Sequence, residues 1–273
     1  MPTTTHFTKH HGAGNDFLVT VDMEGRRPLE PAVVQALCHR HLGVGADGVI
    51  RVLEGRHGAD ITMELRNADG LEAEMSGNGI RCLAQAAVHA GLVSPPAFSV
   101  ATGAGVRTVE YRPGDRSDVA DASVDMGKAE LGPDQTQEFG DRRARQVDMG
   151  NPHLVLFGPD PSGVAVAELG PQLQAVRPGG INVEFVALGP EPDELTMRVW
   201  ERGVGETLAC GTGVCAAAAA AHSWGLVGEV VTVHNPGGSL RVVLGSDGVT
   251  LAGPTQWVAD VEVDLAAFGA SLP

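Results

Sequence analysis

Apolar and polar residues alternate through several short segments of the chain, and Gly, Pro and Asp residues separate these segments. An alternation with a period of two residues indicates β-strands that bury one face. The predicted strands are Phe17–Val21, Val106–Tyr111, Ala122–Met126, Thr196–Trp200, Val230–His234 and Leu240–Leu244. The pattern therefore predicts a protein built mainly from strands.

Two longer segments, Ile80–Ala90 and Val214–Trp224, are apolar on nearly every side, and the second contains six consecutive alanines, Ala216–Ala221. A helix without a polar stripe must be covered all round. Because strands supply most of the remaining chain, we predict an α+β fold with a mostly antiparallel sheet around a central buried helix, built twice. A further helix is predicted at Pro31–His41, with proline in its first turn and Gly43 as its stop.

The chain repeats itself once at about half its length. Ser76–Ile80 (SGNGI) matches Cys210–Val214 (CGTGV), and Gly14–Val19 (GNDFLV) matches Gly150–Val155 (GNPHLV). One internal repeat of this length predicts two similar, pseudo-symmetric domains, and the cleft between two domains is a common place for a ligand.

The predicted domains are an N-terminal half, residues 1–118, completed by the C-terminal segment 255–273, and a C-terminal half, residues 119–254. The segment Arg112–Ala120 is rich in Gly, Pro and Asp and is the predicted hinge.

Composition excludes some classes of function. The formal net charge of −15 argues against a nucleic-acid groove, because phosphate binding needs a basic surface. The N-terminus has no signal-peptide pattern, and no apolar stretch is long enough to cross a bilayer. The four cysteines lack both CxxC spacing and the density of a disulfide scaffold, so we expect reduced thiols and a cytoplasmic protein.

Two patterns in the first fifty residues suggest cofactors, but both are weak. Gly43–Gly48 has the letters GxGxxG, yet it follows a helical pattern rather than a strand, which argues against a dinucleotide site. The histidines near the N-terminus lack a framework of cysteines or carboxylates at ligand spacing, so we expect no metal site.

Ser76 and Cys210 each precede a Gly-x-Gly that opens an apolar helix. The glycines let a ligand approach the backbone, and the unpaired N–H groups of the first turn favour an anion. A cysteine at such a position is expected to have a lowered pKa and therefore a reactive thiolate. Cys82 and Cys215 lie inside their helices, where cysteine acts as a small buried hydrophobe.

Two such helix starts facing one another would hold a carboxylate from both sides. They would also place one acid/base group on each face of the adjacent carbon. Inversion of a stereocentre by proton transfer needs that arrangement, and the N–H donors would stabilise the charge that spreads onto the carboxylate.

Other polar residues suit an amino-acid ligand. Glu201 and Arg202 end a predicted strand shortly before Cys210, where the arginine can bind a carboxylate bidentately and the glutamate can bind an ammonium group. Asn67–Gly70 occupies the equivalent place in the first half, although, taken alone, Asn67 and Asp69 are better explained by an ordinary turn. The neutral hydrogen-bonding groups are Asn15, Asn151, His153 and Asn182.

These motifs together resemble the diaminopimelate epimerase family, in order and over nearly the whole chain. They are His11–Phe17 (HGAGNDF), Asn67–Gly70 (NADG), Ser76–Gly79 (SGNG), Met149–His153 (MGNPH), Glu201–Thr207 (ERGVGET) and Ala209–Gly213 (ACGTG). The resemblance implies a cofactor-independent epimerase that interconverts LL- and meso-diaminopimelate in lysine and cell-wall precursor synthesis. It also implies two pseudo-symmetric domains, with the site between them, and a homodimer.

The resemblance also implies roles for individual residues. Cys210 matches one of two acid/base cysteines, His153 matches a histidine that supports the catalytic thiols, and Glu201 joins this catalytic group. The implied substrate contacts are Asn15, Asn67, Gly77, Asn78, Asn151, Asn182, Glu201, Arg202, Gly211 and Thr212.

Two positions depart from the family pattern. Many members have a glutamine after the aspartate that matches Asp47, whereas this chain has Gly48. The second catalytic cysteine of the family falls on Ser76, whose hydroxyl is a far poorer base than a thiol, so activity is expected to be reduced or abolished. Two alternatives stay open: a related enzyme of the proline racemase or hydroxyproline dehydratase type, and a non-catalytic amino-acid-binding protein.

Overall fold

The computed structural model describes residues 4–135, 139 and 142–268. The strands are β1 Thr4–Gly12, β2 Asn15–Val21, β3 Gly48–Glu54, β4 Ile61–Asn67, β5 Glu72–Ala73, β6 Ala97–Thr102, β7 Gly105–Pro113, β8 Val119–Asp125, β9 Glu130–Asp134, β10 Arg143–Asp148, β11 Pro152–Phe157, β12 Asn182–Leu188, β13 Glu194–Glu201, β14 Gly205–Thr207, β15 Val230–Asn235, β16 Gly238–Leu244 and β17 Val249–Asp264. The helices are α1 Pro31–Cys38, α2 Gly77–His89, α3 Val166–Gln174, α4 Gly211–Ser223 and α5 Leu265–Phe268.

The chain forms two compact units. The first contains Met1–Val124 and Pro254–Pro273, and the second contains Asp125–Gly253. The long strand β17 passes from the second unit into the first, so the C-terminal segment of the chain belongs to the same unit as the N-terminal segment.

The sheet of the first unit closes into a barrel in the order β1, β2, β3, β4, β6, β7, β8 and β17, with β17 paired back to β1. Its pairs β2–β3 and β4–β6 are parallel, whereas β1–β2, β3–β4, β6–β7, β7–β8 and β1–β17 are antiparallel. Helix α2 packs against β1, β2, β3, β4 and β7, and all its residues from Gly77 to Ala87 are buried. The barrel therefore covers the apolar helix, as a helix without a polar stripe requires.

The second unit repeats this order of pairings. The pairs β11–β12 and β13–β15 are parallel, and β10–β11, β12–β13, β15–β16 and β16–β17 are antiparallel. Helix α4 packs against β10, β11, β12, β13, β15 and β16, and its residues Gly211–Ala221 are all buried. The predicted α+β fold, with a sheet around a central helix in each half, is confirmed.

The predicted strands and both apolar helices are present, with small differences in their ends. Helix α1 stops at Cys38, earlier than predicted, because the chain folds back on the helix end: the amide of Val44 donates to the carbonyl of Leu37 over 3.0 Å. The predicted hinge Arg112–Ala120 is wrong. It forms a hairpin between β7 and β8 inside the first unit, closed by a 3.0 Å hydrogen bond from the Gly114 amide to the Val119 carbonyl.

In the described part of the chain, no helix combines the length and the apolar character that crossing a membrane requires.

Candidate active site

Ser76 is the N-cap of α2 in the first unit. Its backbone is extended, and its Oγ accepts a hydrogen bond from the Gly79 amide over 3.0 Å. A side chain on Gly79 would meet this serine, since an added Cβ would lie 3.1 Å from Ser76 Cβ and 3.2 Å from Met63 Cε. The Gly-x-Gly pattern therefore keeps the helix start open around residue 76. The serine hydroxyl itself is committed to capping the helix.

Asn15, Asn78 and Arg81 form a buried polar network beside this helix start. Asn78 Nδ2 donates to Asn15 Oδ1 over 3.2 Å, and Arg81 Nη2 donates to Asn78 Oδ1 over 2.6 Å. Asn15 Nδ2 donates in turn to Asp47 Oδ2 over 2.7 Å. A carboxylate at one end accepts and a guanidinium at the other end donates, so the direction of both amides is set.

Asp47 belongs to a cluster of charges at the start of β3. Arg40 Nη2 lies 2.7 Å from an oxygen of Asp47 and 2.7 Å from an oxygen of Asp16. Burial raises the pKa of Asp47, and the hydrogen bond from Asn15 opposes that rise. At the next position, a Cβ on Gly48 would lie 2.7 Å from the carbonyl oxygen of Arg66, so the backbone here leaves no room for a side chain.

Asn67 ends β4 and begins a turn. Its carbonyl accepts from the Gly70 amide over 2.8 Å, and Asp69 Oδ1 accepts from the Leu71 amide over 2.9 Å. The turn expected from the sequence is therefore present. The position of Asn67 is nevertheless the one predicted for a counterpart of Glu201. Asn67, at the end of β4, pairs with Gly48 at the start of β3, just as the end of β13 lies beside the start of β12.

Cys210 occupies the same place in the second unit, as the N-cap of α4. The residue is 5% exposed, and its Sγ lies 3.5 Å from Thr212 Oγ1. Gly211 and Thr212 form the first turn of the helix and are buried. The hydroxyl of Thr212 also accepts from Asn151 Nδ2 over 3.4 Å, which brings a third predicted site residue to this helix start.

The expected lowering of the Cys210 pKa is wrong for this structure. Burial raises the pKa of Cys210 well above its usual range, and the charges of Glu201 and Glu184 raise it further. Hydrogen bonds from Thr212 and the Gly213 amide act in the opposite direction but are weaker. The helix start does favour a thiolate, as predicted, but removal from water and two nearby carboxylates outweigh it. Burial and the two carboxylates therefore favour the protonated thiol.

His153 lies beside this helix start on β11 and is fully buried. Its Nδ1 is 2.7 Å from Glu184 Oε1, and its Nε2 is 2.9 Å from Asn151 Oδ1. Glu184 is also fully buried. A chain of polar contacts therefore runs from a buried carboxylate through an imidazole, an amide and a hydroxyl to the cysteine sulfur.

Glu201 and Arg202 lie at the end of β13, as predicted. Glu201 accepts a short hydrogen bond from the Thr207 hydroxyl, and its charge acts on Cys210. Asn182 Oδ1 accepts from the Arg202 amide over 2.9 Å, which fixes the turn after β13. The Arg202 side chain is exposed, with Nη1 3.4 Å from the Gly179 carbonyl, so it can reach a ligand without first leaving a buried site.

The predicted residues thus form two groups, one in each unit. The first group is Asn15, Asn67, Ser76, Gly77 and Asn78, and the second is Asn151, His153, Asn182, Glu201, Arg202, Cys210, Gly211 and Thr212. Within the described residues, no group of three or more His, Cys, Asp or Glu side chains is arranged to hold a metal ion.

Sequence analysis missed Glu184. The residue lies between Val183 and Phe185 in a strand that is apolar after Asn182 apart from this one side chain. A charged side chain in such a strand is the signal that could have identified it. Buried carboxylates are rare unless they are paired, and here the partner is His153. Asp47 and Arg81, which orient the amides of the first group, were missed as well.

The two helix starts differ in the strands that face them. In the first unit Phe17 pairs with Gly48, and in the second unit His153 pairs with Asn182. Two residues further along each strand, Ile50 in the first unit takes the place of Glu184 in the second. Apolar residues therefore lie in the first unit where the second unit has the buried, hydrogen-bonded side chains of His153 and Glu184.

Comparison with known proteins shows which family has these features. Residues 7–132 and 145–258 match the family model described as diaminopimelate epimerase. The chain is 40% identical over 282 residues to the diaminopimelate epimerase of Synechococcus elongatus, covering 96% of this chain and 99% of that protein. It is 41% identical over 281 residues to that of Corynebacterium glutamicum, covering 97% and 100%.

Solved structures with low sequence identity share the fold. A phenazine biosynthesis protein of the PhzF family from Bacillus anthracis has a TM-score of 0.74 at 15% identity, covering 95% of this chain and 99% of that chain. A hydroxyproline epimerase from Agrobacterium vitis has a TM-score of 0.72 at 17% identity, covering 96% and 92%. These matches, at less than 20% identity, show the fold. The match of the family model and the identity over nearly the full length show that this chain belongs to the diaminopimelate epimerase family.

Proposed function

We propose that the protein interconverts LL- and meso-diaminopimelate by moving the proton on the α-carbon, and that Ser76 reduces or abolishes this activity. The observation that carries the proposal is the pair of buried helices that each begin at a small polar side chain, Ser76 or Cys210, followed by Gly-x-Gly. Membership of the family supports the choice of diaminopimelate as substrate.

The α-carboxylate of the substrate would bind to the backbone N–H groups at the helix starts. These groups carry partial positive charge, and they would stabilise the negative charge that spreads onto the carboxylate when the α-proton leaves. The amides of Asn15, Asn78 and Asn151 already have fixed directions and would accept or donate hydrogen bonds without reorganising. Arg202 would bind a carboxylate and Glu201 an ammonium group.

Binding of the substrate would also change Cys210. Without a ligand, the negative charge of Glu201 helps to keep this thiol protonated. A substrate ammonium group beside Glu201 would compensate that charge and lower the pKa of Cys210, so the thiol would become able to exchange a proton with the α-carbon. The enzyme would thus be unreactive when empty and activated by the correct substrate.

Ser76 would limit the reaction because it is a poor second acid/base group. A two-base epimerisation needs one group to remove the proton and another to deliver one. An aliphatic hydroxyl ionises at far higher pH than a thiol, and this one caps α2 through the Gly79 amide. Ser76 would keep the shape of the site while making proton removal on its side very slow.

We further propose that the reaction needs neither pyridoxal phosphate nor another cofactor, and that the protein works in the cytoplasm as a homodimer. Thiol acid/base chemistry needs no cofactor, and the four cysteines of the described chain are free thiols, as a reducing compartment would keep them.

The test is solvent exchange in heavy water. The protein is incubated with LL- or meso-diaminopimelate, with proline and with hydroxyproline, and deuterium at the α-carbon is measured by mass spectrometry. Deuterium uptake in diaminopimelate that is lost in a Cys210→Ala variant supports the proposal. Uptake confined to proline or hydroxyproline would indicate the proline racemase type. Tight binding of diaminopimelate without exchange, both before and after Ser76→Cys, would indicate a binding protein.

A further inference from the structure

We propose that Glu184 is a positioning residue that holds His153 as an imidazolium beside the Cys210 helix start. The inference deepens the proposed function and rests on it for the role of Cys210. The protonation of His153, however, follows from contacts that do not depend on any substrate.

His153 lies between two oxygen atoms and is fully buried. Glu184 Oε1 is 2.7 Å from its Nδ1, and Asn151 Oδ1 is 2.9 Å from its Nε2. A neutral imidazole has one N–H and could satisfy only one of these acceptors, whereas an imidazolium has two and satisfies both. The direction of Asn151 is supported at its other end, where its Nδ2 donates to Thr212 Oγ1.

The charge of Glu184 requires the same state of His153. The carboxylate is fully buried, and its Oε2 is without a hydrogen-bond partner among the described residues. An isolated buried carboxylate is costly, and the imidazolium 2.7 Å away compensates its charge. The first turn of α4 also lies against this carboxylate, because a Cβ on Gly213 would be 2.7 Å from Oε1. A helix N-terminus stabilises an anion at that place.

The first unit shows that the barrel does not need a charged pair here. Phe17 and Ile50 occupy the positions equivalent to His153 and Glu184, and α2 is equally well buried. A buried ion pair usually contributes little to stability compared with apolar residues. The pair in the second unit is therefore better explained by its effect on the neighbouring site than by packing.

The effect on that site is electrostatic and geometric. The charged and titratable groups that act on or lie beside the Cys210 helix start are Glu184 on β12, Glu201 on β13 and His153 on β11. The imidazolium offsets one of the two carboxylates. The imidazolium also donates a hydrogen bond to Asn151 Oδ1. The Nδ2 group of Asn151 is thereby directed towards Thr212. Loss of the Glu184 charge would let His153 lose a proton and would free Asn151 to rotate.

The direct test is nuclear magnetic resonance of protein labelled with ¹⁵N in histidine, recorded from pH 6 to pH 9. The His153 signal is assigned by its loss in His153→Asn. We expect the His153 ring nitrogens of the unchanged protein to be doubly protonated at pH 8, and those of Glu184→Gln to be singly protonated at the same pH, because the buried imidazolium has then lost its carboxylate partner. Glu184→Asp keeps the charge and should keep the imidazolium. Glu229→Gln, a matched change at an exposed position of the same unit, should leave His153 unchanged.

Two results would overturn the proposal: a neutral His153 in the unchanged protein at pH 7, or a doubly protonated His153 at pH 8 in Glu184→Gln. If Glu184→Gln does not fold, the first measurement and the milder Glu184→Asp variant still decide the matter. Both measurements are independent of catalysis, so they would stand even if the proposed epimerase activity were absent.

A second measurement concerns the proposed reaction. In a Ser76→Cys background, the turnover of Glu184→Gln should fall with rising pH more steeply than the turnover of Ser76→Cys alone, because His153 loses a proton only in the variant without the Glu184 charge. The KM for diaminopimelate should change less than kcat. A purely structural role would instead lower activity equally at all pH values. Absence of epimerase activity in Ser76→Cys itself would contradict the proposed function, not the state of His153.

Discussion

Gly213 and Glu184 are in such close contact that a Cβ on Gly213 would lie 2.7 Å from the Oε1 atom of Glu184. The glycine lies in the first turn of α4, and the carboxylate comes from β12. The missing side chain at residue 213 thus allows the buried pair of Glu184 and His153 to lie against a helix N-terminus.

Gly213→Ala should destabilise the protein by about 2–4 kcal/mol. The methyl group would displace Glu184 from His153, and disruption of a buried ion pair costs about 3–5 kcal/mol. The higher helix propensity of alanine compared with glycine offsets about 1 kcal/mol of this cost. Urea unfolding measures the difference. The control is Gly79→Ala, where the added Cβ would meet Ser76 Cβ at 3.1 Å and the mobile end of Met63 at 3.2 Å. We expect a smaller loss there, and equal losses would contradict the importance of the Glu184 contact.

Ser76→Cys should raise the rate of diaminopimelate epimerisation by orders of magnitude, because a thiol ionises far more readily than a hydroxyl and would complete a pair of acid/base thiols. The rate is measured by the change in the ratio of the LL and meso isomers. Ser76→Ala is the matched control and should stay at or below the rate of the unchanged protein. An unchanged rate in Ser76→Cys would refute the assignment of residue 76 as the second acid/base position.

Alkylation of Cys210 by iodoacetamide should be slow at neutral pH and should rise about tenfold per pH unit through pH 8, because the pKa of this thiol is raised and only the thiolate reacts. Labelling followed by mass spectrometry separates the four cysteines. Cys82 and Cys215, both fully buried inside their helices, should react later than Cys210. Diaminopimelate should protect Cys210 from the reagent by occupying the site. A rate that is already constant below pH 8 would show a low thiol pKa instead.

Acidification should destabilise the protein through His10. This residue is fully buried and neutral, with its Nδ1 3.0 Å from Gln85 Oε1, and burial lowers its pKa to about 4 from the ordinary 6.5. The unfolded chain therefore binds a proton that the folded chain does not bind between pH 6.5 and pH 4. The free energy of unfolding should fall by about 2–3 kcal/mol from this group as the pH drops through that window.

His10→Gln should remove this part of the pH dependence. Unfolding free energies at pH 7 and pH 4.5 should differ by about 2 kcal/mol less in the variant than in the unchanged protein. His41→Gln, at an exposed histidine, is the control and should keep the full difference. The same pH dependence in all three proteins would contradict a buried neutral His10.

Several features of the fold follow from local patterns in the sequence. The alternating segments form strands, because a period of two places their apolar residues on one face of a sheet. The two apolar segments form α2 and α4, which are covered by the sheets around them. The helix starts were also visible, since Ser76 and Cys210 both precede Gly-x-Gly. Arg112–Ala120, in contrast, has the composition of both a hinge and a hairpin, and only the pairing of β7 with β8 distinguished the two.

The sequence by itself determined the two covered helices, the small polar residue at the start of each and the family to which the motifs point. Tertiary structure decided the chemistry around Cys210. Glu184 and Glu201 come from two different strands, and their charges together with burial raise the pKa of Cys210, whereas the helix start alone would lower it. The physical reason is that helix and strand patterns are properties of neighbouring residues, whereas the ionisation of a buried group depends on charges that are distant in the sequence and close only in the fold.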